Sequence, residues 1–183
     1  AELSVSYMKG IQEQGVAANA KHFAANNQET ERMHINEIIP ERALYEIYFP
    51  AFKACVKNGV ESIMSAYNWI NGTPCAMNRW LLKDVLRNEW GFNGFVVSDW
   101  RAAYDLKTAV KAGNNLAMPG PREESEILEA LKEGTLTKEE LDSNIRGLLQ
   151  KIADMPAVKG RKHKTIDFEL SARKAYETAA EGI

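Results

Sequence analysis

Short apolar runs and longer helical patterns alternate along this chain, and that alternation limits the fold more than any other feature. The strand-like runs are GVAANAKHF (15–23), ESIMSAYN (61–68), GFVVSDW (94–100) and NLAMPG (115–120). Helical spacing of apolar residues marks the segments around them. Leu3, Tyr7, Met8 and Ile11 predict an opening amphipathic helix ended by Gly15. A second helix starts after Pro40, with Leu44, Ile47, Tyr48 and Phe52 on one face and a bend at Pro50. Asn58-Gly59 stops it. RWLLKDVLRNEW (79–90) and AAYDLKTAVKAG (102–113) predict two more helices. Thr137 and Glu140 make a T-x-x-E capping box at the head of LTKEELDSNIRGLLQKI (136–152). Such alternation predicts an α/β fold whose parallel strands are joined by crossover helices. About four βα units amount to half of a TIM-type (β/α)8 barrel, which in full needs about 250 residues. Half a barrel leaves open strand edges, so either a partner supplies the rest or the chain self-associates to cover them.

The bulk numbers exclude several other classes. The 183 residues are 45% hydrophobic, enough for a sizeable core. A formal net charge of -2 with no basic patch argues against a nucleic-acid partner. The apolar runs are too short to span a bilayer, so no membrane partner is expected. The first residues, AELSVSYMKG, do not have the pattern of a signal peptide. Cys55 and Cys75 lack CxxC spacing and read as reduced, structural thiols, with no metal site.

Chemistry collects where the strands end, which is where α/β barrels place their active sites. The first strand ends in Lys21 and His22, the second in Tyr67 and Asn68, the third in Ser98, Asp99 and Trp100. Asp99 follows an apolar run, and a buried carboxylate must be paired or hydrogen-bonded. Two readings compete there: a site residue, or the N-cap of the next helix. Trp100 favours a sugar site, since an aromatic face offers a stacking surface. Trp69, Trp80 and Trp90 read as core. Lys21 and His22 suit vicinal hydroxyls, one donating and the other donating or accepting. The alternative for that pair is a satisfied core histidine beside a snorkelling lysine. The polar loop NNQETERMHINEI (26–38) carries Arg32, which reads either as a ligand of sugar or as a solvated surface arginine. Met64 fits either the core or a pocket wall. His34 and His163 read as surface residues.

At these residues the sequence resembles glycoside hydrolase family 3, of the β-glucosidase type. The segments that carry the resemblance are KHFAANNQETERM, ERALYEIYFPAFKACV, IMSAYNWINGTPC, LLKDVLRNEWGFNGFVVSDW and AGNNLAMPG. The resemblance implies that the chain is the second half of the barrel (1–121), then a helical segment closing it (122–158), then a basic linker and helix (159–183). The last of these would lead to an α/β sandwich domain outside the chain. It implies retaining hydrolysis of terminal β-D-glucosyl residues, with Asp99 as nucleophile. Lys21 and His22 would hold sugar hydroxyls; Arg32, Met64, Tyr67 and Trp100 would line the sugar subsite, Tyr67 also orienting Asp99. A nucleophilic carboxylate benefits from cationic neighbours, and Lys21 and Arg32 are expected to be those.

The departures from the family pattern are as informative. The family's acid/base glutamate lies beyond Ile183, and its earlier substrate-binding arginine and aspartate precede Ala1, so the chain is expected to be inactive alone. Asn115 stands where the family often has aspartate. KHFAANN lacks the glycine and histidine of the KHFPGHG-like run that marks the N-acetylglucosaminidase branch. β-Xylosidase or α-arabinosidase specificity stays open, as does a non-catalytic, self-associating half-barrel module. An unrelated aldolase-like barrel with Lys21 as Schiff base is the third reading. No cofactor is implied, because the reaction needs two carboxyl groups and water.

Overall fold

The computed structural model describes residues 1–120, 124–160 and 165–182, so His163 lies outside the described residues. In chain order the elements are α1 (Glu2–Glu13), β1 (Asn19–Phe23), β2 (Asn36–Glu37), α2 (Glu41–Ala43), α3 (Pro50–Lys57), β3 (Ser62–Ser65), β4 (Trp69–Ile70) and β5 (Thr73–Pro74). There follow β6 (Phe95–Ser98), α4 (Leu106–Ala112), α5 (Glu124–Lys132), α6 (Lys138–Asp154) and α7 (Phe168–Glu181). A π-helix over Leu44–Tyr48 joins α2 to α3, and a longer one covers Trp80–Glu89.

β1, β3 and β6 lie side by side in one parallel sheet. Their order follows the chain, and a helical crossover separates each from the next, as parallel pairing requires. Leu116 adds a single parallel bridge to Val97 on the far side of β6. The run at 115–120 therefore extends the sheet by one residue instead of forming a full strand. Side chains alternate across the pleat. Ile63 and Val96 point to the helices and are fully buried, while Met64 and Phe95 on the other face are half-buried. Gly94 lets β6 start close against β3. A Cβ there would collide with the Glu61 carbonyl and the Phe92 ring.

The core lies between the sheet and its helices. Phe23, the last residue of β1, is fully buried, with ring centroids 5.8 Å from Phe49, 5.0 Å from Phe52 and 5.7 Å from Trp90. Those spacings suit tilted aromatic pairs, each contributing about 1 kcal/mol beyond area burial. Trp90 is buried, whereas Trp69 and Trp80 are half-buried.

Several sequence expectations need correction. Ile47 is 71% exposed, and Phe49 takes its place in the core. The cause is the π-turn: Phe49 N–H donates to the Leu44 carbonyl, five residues back. One extra residue in the turn shifts the buried face by one position. The wider turn also suits Pro50, which has no N–H and which starts α3. Leu3 and Tyr7 of α1 are exposed, because the helix packs through Met8 and Ile11. The helix expected from Ala102 starts only at Leu106, after an Asp105 N-cap whose carboxylate accepts from Thr108 N–H at 2.8 Å. The capping box forms as expected: Thr137 and Glu140 exchange hydrogen bonds of 2.9 and 3.1 Å.

Candidate active site

Three strand ends bring the polar residues together. Asp99 is the first residue past β6 and is only 7% exposed. Its backbone is fixed from one side by β3, where Asp99 N–H donates to the Ser65 carbonyl at 3.1 Å. The Leu116 segment fixes the other side. Ser98 N–H donates to the Leu116 carbonyl at 2.8 Å, and Met118 N–H donates to Ser98 Oγ at 2.9 Å. The Asp99 side chain accepts from Trp100 N–H at 2.8 Å and stands 3.5 Å, Oδ2 to Nε2, from His22 on β1. Asp105, not Asp99, caps α4. The capping alternative for Asp99 therefore falls, and a buried carboxylate remains that the helix does not use.

The neighbours complete the mouth. Burial holds His22 below its ordinary range; the Asp99 carboxylate pulls the other way and loses. The imidazole facing Asp99 is therefore harder to protonate than a free histidine. Tyr67, two residues past β3, has its phenol pushed up by burial and then by the Asp99 carboxylate, against an opposing pull from Arg32. The Arg32 guanidinium lies 5.2 Å from the centre of the Tyr67 ring, a cation–π distance. It also pairs with Glu29 at 3.4 Å. Trp100 is 56% exposed, an aromatic face open to a ligand. Met64 is half-buried on the side of the sheet away from the helices.

Lys21 and Arg32 do not touch the Asp99 carboxylate directly. Lys21 is exposed on β1, and neither residue forms an ion pair with Asp99 among the described residues. His22 is the one at that distance. His34 is exposed, as its loop position suggests.

The loops above the strands hold what sequence reasoning missed. β2, β4 and β5 form a second small sheet that ties the loop after β1 to the loop after β3. Two-residue strands are too short for periodicity to reveal. Glu37 on β2 accepts from Asn68 Nδ2 at 3.2 Å, and the same amide donates to the Ala24 carbonyl at 3.1 Å. The polar run at 26–38 was the only trace of Glu37 in the sequence.

With this geometry in hand, residues 1–150 match the family model described as "Glycosyl hydrolase family 3 N terminal domain". The chain belongs to glycosyl hydrolase family 3. Family 3 relatives match nearly the whole chain. Thermostable β-glucosidase B of Acetivibrio thermocellus is 42% identical over 100% of this chain and 24% of its own length. An exo-α-(1→6)-L-arabinopyranosidase of Bifidobacterium longum is 41% identical over 98% of the chain and 24% of its own length. The glucose complex of β-glucosidase 3B from Thermotoga neapolitana superposes with a TM-score of 0.92 at 49% identity, covering 97% of this chain and 26% of that one. The chain thus spans about a quarter of the length of these family 3 proteins.

Proposed function

We propose that this chain is the nucleophile-bearing part of a retaining β-glucosidase that removes terminal non-reducing β-D-glucosyl residues. The observation that carries the reading is Asp99: a buried carboxylate at a strand end, released from helix capping, between His22 and an exposed tryptophan. Asp99 Oδ attacks the anomeric carbon as the glycosidic bond breaks, leaving a covalent glycosyl-enzyme. A protonated carboxyl group outside these residues gives its proton to the departing oxygen. Water, deprotonated by that same group, then releases the sugar and frees Asp99. In such enzymes the two carboxyl groups stand about 5–5.5 Å apart. Lys21 and His22 hold sugar hydroxyls in this reading, and Arg32, Met64, Tyr67 and Trp100 line the subsite.

The same reading makes residues 1–121 the second half of a (β/α)8 barrel, 122–158 its closing helical segment and 159–183 the way to an α/β sandwich domain. Support comes from the free edge of β1. An apolar groove of about 330 Å³ runs along it, lined by Tyr7, Met8, Ala20, Phe52 and Val60. Exposed Leu3 and Tyr7 extend that surface. The missing half-barrel would cover this edge, and without it the chain is inactive. The arabinopyranosidase relative favours a second specificity, a pentopyranoside in place of glucose.

The test is a complete enzyme carrying these 183 residues, with the remainder supplied by β-glucosidase 3B. It is expected to hydrolyse p-nitrophenyl β-D-glucopyranoside and to lose turnover in Asp99→Asn. Undiminished activity in that variant removes Asp99 from its role. An aryl α-L-arabinopyranoside assayed beside it decides the specificity. The isolated chain is expected to show no hydrolysis, and light scattering reports whether it pairs with itself instead.

A further inference from the structure

Among the described residues, Glu37 is the one carboxylate, besides Asp99 itself, that bonds to a strand-end residue of this mouth, and the proposed chemistry gives it no task. It lies on β2, within the small sheet that staples one loop to another. Its partner Asn68 is fully buried and directly follows Tyr67. Asn68 is a junction. Its side chain donates to Glu37 Oε2 at 3.2 Å and to the Ala24 carbonyl, just past β1, at 3.1 Å. Its own carbonyl accepts from Cys75 N–H at 3.0 Å. Either side of it, Ala66 N–H donates to the Phe23 carbonyl and Trp69 N–H to the Ile35 carbonyl, both at 2.8 Å. Tyr67 sits in the middle of that clamped stretch, under the Arg32 guanidinium.

We propose that Glu37 is a positioning residue. It holds the Asn68 amide between β1 and the Arg32 loop, and so fixes Tyr67 against Arg32 on one side and Asp99 on the other. The inference rests on the reading of Asp99 as nucleophile. Three features support it. Asn68 is the only side chain that bonds both the β1 exit and the loop bearing Arg32 among the described residues. Glu37 is half-buried with no cation paired to it among the described residues, so its role there is not that of a surface ion pair. Burial raises its carboxyl above the ordinary carboxylate range, which fits a group kept in place for an amide partner and not for solvent. A misplacement of about 1 Å at a binding group is enough to change rate or affinity by orders of magnitude.

The test uses the same complete enzyme, with two variants of Glu37. Glu37→Gln keeps an acceptor for Asn68, and Glu37→Leu removes it. Active sites are counted by trapping with a 2-deoxy-2-fluoro-β-D-glucoside whose label is mapped by mass spectrometry. Glu37→Leu is expected to raise KM for p-nitrophenyl β-D-glucopyranoside by about tenfold per trapped site. Glu37→Gln should stay within about twofold. Partial misfolding lowers the count of trapped sites but leaves KM unchanged, so KM separates positioning from mere stability. Label on Asp99 together with an unchanged KM in Glu37→Leu overturns the proposal and leaves the nucleophile reading standing. Failure of the parent enzyme to label Asp99 removes the nucleophile reading, and the proposal goes with it.

Discussion

At the start of β6 a half-buried guanidinium sits among neutral oxygens; at its end a carboxylate is buried beside a half-open histidine. Arg87 donates to the Gly94 carbonyl at 3.1 Å, the Gly113 carbonyl at 3.4 Å and Asn115 Oδ1 at 2.8 Å. Asn115 Oδ1 also accepts from Val96 N–H at 2.8 Å, and its amide donates to the Asn144 carbonyl at 2.9 Å. Asn144 in turn donates to the Asn114 carbonyl at 2.8 Å. This network binds the Trp80–Glu89 helix, β6 and α6 to one another. Among the described residues the Asp99 carboxylate takes one backbone donor, Trp100 N–H, with His22 and Tyr67 beside it, and Asn68 Oδ1 is buried without a partner. Pairing is dense where the end of the strand only has to hold, and sparse where it has to receive something. Asn114 is the exception at the dense end: its side-chain atoms are buried without partners among the described residues.

Substitutions at the two ends should separate activity from stability. Asp99→Asn keeps the acceptor for Trp100 N–H, so the chain's stability should change by less than about 1 kcal/mol while turnover of the completed enzyme disappears. Arg87→Met should do the reverse. It leaves the Gly94 and Gly113 carbonyls without this donor and takes one of two donors from Asn115 Oδ1, at a cost of about 3 kcal/mol, while catalysis per folded molecule stays near normal. Urea unfolding followed by circular dichroism measures the first quantity, and assays normalised to trapped active sites measure the second. Equal losses of stability in both variants would erase the distinction between the ends. Far from both, Thr137→Ala removes half of the capping box on α6 and should cost about 1 kcal/mol, with no effect on the mouth.

How much of this was legible depended on the kind of signal. The α/β alternation was readable because buried parallel strands are near-continuous apolar runs. Asp99 and Trp100 were readable because a polar pair that ends such a run has few structural excuses. The face of the second helix was misread at Ile47, since a π-turn shifts register by one residue and leaves no mark on spacing. Asn115 drew attention as a departure from a family pattern, but its place against Arg87 needed coordinates. So did Glu37, whose partner lies 31 residues further on, across two loops whose strands are two residues long. Charge alone points to Lys21 and Arg32 as neighbours of Asp99, whereas the side chain that stands 3.5 Å from it is His22, which only the coordinates could select.

The smallest effect concerns that histidine. Burial lowers its folded-state pKa below the ordinary 6.5, with Asp99 opposing. A lowered histidine binds protons less readily folded than unfolded. The stability it contributes is therefore complete above 6.5 and is lost as the pH falls toward its folded value. The His22 side chain is 30% exposed, so solvent still screens part of the effect and it should be modest. Between about pH 7 and pH 5.5, wild-type stability should fall slightly more steeply than that of His22→Gln, measured by urea midpoints across that range. A wild-type curve that instead rises relative to the variant on acidification would mean that Asp99 outweighs burial. The mouth would then be closed by its own ion pair, and the contrast with the Arg87 end would shrink to a difference in sign of charge.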